Sequence, residues 1–316
     1  MKIVLILALL ISSIFATSFQ LPSKVYSASG AVVDMVVADK KLYAATDASS
    51  IDIFDLKSTK LIQKIEVSKI TDFMGDVIDS KVYSVDVLDG GVVLLSQGEK
   101  GYRRVHIYKD EKLVEVISIK DQLYIAKVAF LDSKTLLLGL LSNEIIAYDI
   151  ATKKMNYREQ VSFSKFSNFA LNEKKSEVVV ADESGDLKIH TTQNGKLTKT
   201  LSGQNLDNVF QVDYKNAIIA TAGQDRRVVV YDTTSNSAYY KTAPFLIYGV
   251  GLSPSGKLVA YASDEQNNVT VFKTSSKSTV GHYGGNKMTL SKIIFTNEKE
   301  FLVSSDDKTV NLYKIK

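Results

Sequence analysis

The chain has 316 residues, 45% hydrophobic and 23% charged, with a net charge of +4. That composition excludes disordered and fibrous classes, and so balanced a charge argues against nucleic acid as a partner. Cysteine is absent, which excludes disulfides, thiolate metal sites, iron–sulfur clusters, covalently held haem and a lipobox anchor.

In chain order, residues 1–18 read as a signal peptide. Lys2 supplies a minimal positive region, an apolar run follows from Ile3 to Phe15, and Ala16-Thr17-Ser18 offers cleavage after Ala16 or after Ser18. About 13 apolar residues are too few to span a bilayer, which needs roughly 20. The expectation is a periplasmic, exported chain with no stable membrane insertion once the signal is cleaved; an uncleaved signal would act as an anchor. Residues 19–316 are expected to form one domain.

A repeated fragment then runs to the end. Ser50-Ile51-Asp52-Ile53-Phe54-Asp55 is followed by Glu144-Ile145-Ile146-Ala147-Tyr148-Asp149, by Arg227-Val228-Val229-Val230-Tyr231-Asp232 and by Thr309-Val310-Asn311-Leu312-Tyr313. The ring residues that close the seven copies stand at 54, 108, 148, 190, 231, 272 and 313, so all steps but the first lie within one residue of 41. Short strands at that period predict an all-β, seven-bladed propeller, with blades near 32–67, 70–119, 125–161, 166–203, 209–243, 247–285 and 290–316. The last blade runs out after its third strand. Val25-Tyr26, within residues 24–29, is free to supply the fourth and close the ring, which leaves no open edge. The first step is 54 residues. Its surplus is placed in residues 89–104, as a lengthened hairpin of blade 2.

These repeats resemble the WD40 family. Tyr148-Asp149, Tyr231-Asp232 and Phe54-Asp55 stand where that family has Trp-Asp, and Leu252-Ser253-Pro254-Ser255-Gly256 matches its inner-strand turn. Gly281-His282, followed by Ser304-Ser305-Asp306-Asp307 and Tyr313, is the nearest match. The resemblance implies a structural network of His282, Ser305, Asp307 and Tyr313. The chain has no Trp, which departs from the family.

No catalytic motif occurs: Gly-x-Ser-x-Gly, His-Glu-x-x-His, a phosphate-binding glycine loop and a calcium loop are all missing. His106, His190 and His282 fall in three blades, so no metal site and no cofactor is expected. Aligning the innermost strands puts Asp34, Asp72, Lys127, Asn168, Gln211, Gly249 and Lys292 in one register. Their polar ring reads either as a ligand, ion or partner site at the channel mouth, or as solvated groups that bond water and one another.

Partner binding is placed on two turns. Lys100, Tyr102, Arg103 and Arg104 combine basic and aromatic groups on the blade 2 hairpin, and Arg226 and Arg227 occupy the equivalent turn of blade 5. Ordinary solvated hairpins are the competing reading. An exported propeller without cysteine is similar to the accessory propellers of periplasmic nitrate reductases (NapL-type). That likeness implies a non-enzymatic platform that meets reductase subunits, in maturation or electron delivery. The alternatives are a metal-dependent lactonase or hydrolase using the channel ring, and a scaffold for envelope assembly.

Overall fold

The computed structural model describes residues 18–316, so the signal-peptide reading, apart from Ser18, lies outside the described residues. Seven four-stranded antiparallel sheets form a ring, because runs such as Leu136-Leu137-Leu138 and Val228-Val229-Val230 are buried on both faces between neighbouring blades. Turns fall on residues that tolerate a left-handed backbone, such as Asn216, Asn143 and Gly256.

Blade 7 is completed as expected. Lys24–Ser27 pairs antiparallel with Thr309–Lys314, Tyr26 opposite Val310. Tyr26 is fully buried, its hydroxyl donates to Leu56 O of blade 1 at 2.9 Å, and its ring meets Phe54 edge-on. One short strand therefore joins the two ends of the ring.

The long first step is built differently from the expectation. Residues 89–90 are a tight turn between Val82–Leu88 and Gly91–Gln97, the inner two strands of blade 2. Most of the surplus lies earlier, in the connection 67–81 between blades 1 and 2, which is about twice as long as its counterpart at 118–124. It carries its own hairpin, Ile70–Thr71 with Val77–Ile78. The sequence reading fails here because Ile70-Thr71-Asp72 imitates the start of an inner strand, while the true inner strand begins at Val82.

The four residues of the expected network do not join. His282 Nδ1 pairs with Thr270 Oγ1 at 3.0 Å inside blade 6. Tyr313 OH donates instead to Gly284 O and Asn286 Oδ1, and Asn286 Oδ1 also accepts from Asn311 Nδ2. Asp307 stays local, accepting from Thr309 Oγ1, and Ser305 is buried in its strand. Asn286 thus occupies the inter-blade role. Asn205 does the same in blade 5, accepting from Thr221 Oγ1 and donating to Tyr231 OH.

His106, buried in blade 2, has its pKa pushed down to about 4, first by burial and then by the Arg104 guanidinium. Glu115 Oε2 lies 3.5 Å from Nε2 and opposes this, but it is partly exposed and screened. The unfolded chain takes up this proton below about pH 6.5 and the folded chain only near pH 4. Stability is therefore complete above 6.5 and declines as pH falls through that window, by on the order of 2 kcal/mol. Urea unfolding of His106→Asn between pH 7.5 and 4 is expected to show a shallower decline than wild type; equal slopes would contradict it.

Candidate functional site: the channel and one face of the disc

A β-bulge recurs near the start of six of the seven innermost strands, between Val32 and Asp34, Val82 and Ser84, Ile125 and Lys127, Phe166 and Asn168, Val209 and Gln211, and Leu290 and Lys292. A bulge re-aims the side chain that follows it, and here that residue lines the central channel, about 570 Å³ in volume. Asp34, Lys127, Asn168, Gln211 and Lys292 hold the expected equivalent positions. Asp72 does not: it sits in the 70–78 hairpin, and Ser84 takes its place in the register. One residue further on, Met35, Val85, Val128, Phe169 and Ile293 are buried, as strand alternation requires.

The ring bonds to itself. Lys292 Nζ pairs with Asp34 Oδ1, whose other oxygen accepts Val85 N–H at 3.0 Å. Lys127 Nζ donates to Asn168 Oδ1 and Phe169 O at 2.6 and 2.8 Å. Gln211 reaches past blade 6 to Ser291 O, across Gly249, where an added Cβ would lie 3.9 Å from the Gln211 amide oxygen. A second tier, which the alignment of single positions missed, holds Asp86 and Asp213. Each accepts a backbone N–H of the next blade, Phe130 and Leu252 respectively. These acids cap donors on the free edges of innermost strands, which would otherwise lack a partner. Burial holds the Asp86 carboxyl above its usual range, and burial together with Lys292 lowers Lys127 to about 8. Among the described residues, no three His, Asp or Glu side chains converge on a metal-sized site.

Three of the four arginines on the two predicted turns are engaged within the chain. Arg104 donates to Ser68 Oγ and Ser68 O at 2.8 Å and to Ser80 Oγ at 3.1 Å, bracing both ends of the 67–81 connection. Arg103 covers the Tyr83 ring at 4.1 Å and donates to Gly101 O. Arg227 covers Tyr240 and donates to Gln204 O, while Tyr102 packs on Tyr124 with ring centroids 4.9 Å apart. Lys100 and Arg226 remain exposed at the turn tips, each with a left-handed backbone.

The hairpin projects more than the turns do. Asp72 Oδ1 accepts the N–H groups of Met74 and Asp76, and Asp72 N–H donates to Asp76 O, so the loop is fixed by its own first residue. The tip holds Phe73 at 96% exposure, Met74 at 72% and Val77 at 71%. Strands alternate in direction, so loops from one blade to the next, and loops from second to third strands, open on one face of the disc. That face also carries exposed Tyr124, Leu141, Phe163, Leu206, Phe245 and Met288. Among the described residues, the loops of the opposite face expose no large apolar side chain. Phe73 and Met74 stand side by side at one tip, and adjacent exposed apolar side chains of this kind mark binding surfaces. Phe73 and Met74 escaped the sequence reading because they look like the core of a strand.

Neither protein-family models nor curated proteins give a match to this chain; its seven sheets assign it to the β-propeller fold.

Proposed function

We propose that the chain is a non-enzymatic protein-interaction platform that docks its partner on the face carrying the 70–78 hairpin. The observation that carries this reading is the segregation of the exposed apolar loop side chains onto that one face, led by Phe73 and Met74 on a hairpin the ring does not need. A rigid ring holds such loops at little cost in ordering on binding. Channel side chains that satisfy one another support a structural role for the ring, and Lys100 and Arg226 stand on the proposed docking face.

The finer reading is an exported accessory factor, serving maturation of, or electron delivery to, a periplasmic nitrate reductase. It rests on the apolar residues 3–15 and on the likeness of the repeats to those accessory propellers. A photo-crosslinking amino acid in place of Phe73 is expected to capture a discrete protein partner in cells, whereas the same residue in place of Lys153, on the opposite face, is expected to capture none. Equal capture at both positions would overturn the assignment of the face.

A further inference from the structure

The two faces of the disc carry opposite charge. On the loops of the hairpin face, fourteen Asp and Glu stand against eight Lys and Arg. On the loops of the other face, with residues 315–316, seven acids stand against twelve bases. Adding Arg103, Arg104 and Arg227, which begin third strands on the hairpin face, still leaves the acids in excess there, and these guanidiniums already serve internal contacts. A net charge of +4 conceals this polarity. The exposed large apolar side chains of the inter-strand loops are on the acidic side.

We propose that the acidic face docks a polypeptide segment that is cationic and carries bulky apolar side chains, seated against the Phe73-Met74 tip. This inference rests on the platform reading and adds the chemistry of its partner. Burial of the apolar tip supplies attraction to many partners, whereas charge selects among them and steers their approach. An anionic partner is repelled from this face. An anionic lipid surface is attracted to the basic side, whose loops expose no large apolar side chain to insert there. A second copy stacked head to tail would match the charges, yet it would set Phe73 and Met74 against loops without exposed large apolar side chains.

Several acids are free to act on a ligand without disturbing the fold. Asp76, Asp186 and Asp306 lie on three different blades or connections of this face, and their side-chain oxygens accept no hydrogen bond among the described residues. By contrast, Asp72 and Asp225 organise their own loops.

The test is selection of random twelve-residue peptides on phage against the full chain, with counter-selection on Phe73→Ser/Met74→Ser. Recovered peptides are expected to be rich in Lys and Arg with at least two bulky apolar residues. Their affinity is expected to fall about tenfold from 50 to 300 mM salt, and about tenfold on Asp76→Asn/Asp186→Asn/Asp306→Asn. Unchanged circular dichroism and thermal midpoint would show that both variants fold. Neutral or acidic peptides that still require Phe73 and Met74 would overturn the charge inference and leave the platform standing. Selection that never depends on those residues would overturn both. Flotation with phosphatidylcholine/phosphatidylglycerol vesicles that requires Phe73 and Met74, or self-association in sedimentation that requires them, would replace the proposed peptide with a membrane or a second copy.

Discussion

Tyr26→Ala is expected to lower the free energy of unfolding by about 3–5 kcal/mol, a cost usual for emptying the space of a large buried ring. The effect exceeds that of an ordinary core position because Tyr26 belongs to the strand that closes the ring. Its ring packs in a cluster shared by blade 7 and blade 1, with Met35, Leu42, Phe54, Leu302 and Leu312. Its hydroxyl donates to Leu56 O alongside the Lys24 amine, so truncation also removes one of the two hydrogen bonds to that blade 1 carbonyl. Tyr26→Phe isolates the hydroxyl and is expected to cost about 1 kcal/mol. The neighbouring Val25 points outward, and Val25→Ala is expected to change stability by less than about 0.5 kcal/mol. Urea unfolding of the three variants tests this ranking. A Tyr26→Ala protein within about 1 kcal/mol of wild type would show that the strand contributes little to closure. Removal of residues 18–28 is the stronger form: it uncovers the edge of Thr309–Lys314, and aggregation is expected in place of a cooperative transition.

The repeat was legible because the third strand of most blades is buried on both faces, which forces the same apolar pattern about every 41 residues from blade 2 onward. The closing strand was legible because Val25-Tyr26 alternates like a strand and lies outside the other six sheets, and it pairs with Thr309–Lys314. The channel register was legible at Asp34, Lys127, Asn168, Gln211 and Lys292, because each follows the same bulge. It failed at Asp72, where Ile70-Thr71 and Val77-Ile78 pair only with each other. A two-residue strand pair has the apolar alternation of a longer strand, and only the contacts of Val82–Leu88 reveal which run is innermost. The arginines 103, 104 and 227 were conspicuous as charges, yet their planar groups are occupied by Tyr83, Ser68, Tyr240 and backbone carbonyls that sit far away in sequence. Asn286, four residues beyond the expected His282, takes the role because its Oδ1 accepts from both Asn311 Nδ2 and Tyr313 OH while its Nδ2 donates to Asn267 O of blade 6. Polarity between the two faces was invisible for a different reason. Loops of one face alternate along the chain with loops of the other, so acids and bases mingle in sequence and separate only when the ring closes.

The second large effect concerns binding. Replacing residues 71–77 with Asn-Gly keeps Ile70 opposite Ile78, a pair in register in the native hairpin, and supplies the two-residue turn such a pair favours. The Lys69–Asp79 pair and the Ser49 Oγ to Asp79 bond lie outside the excised stretch, as do the Arg104 contacts to Ser68 and Ser80. The ring therefore keeps every brace at the base of the connection and loses only Phe73, Met74 and their solvent-facing neighbours. The measurement is a paired one on this single protein: its urea midpoint, and its binding to the partner captured at position 73. The expected result is a midpoint within about 1 kcal/mol of wild type in free energy, with binding reduced at least a hundredfold, as follows from removing a central apolar anchor. Binding retained at wild-type strength would contradict the central claim that the hairpin exists to dock a partner.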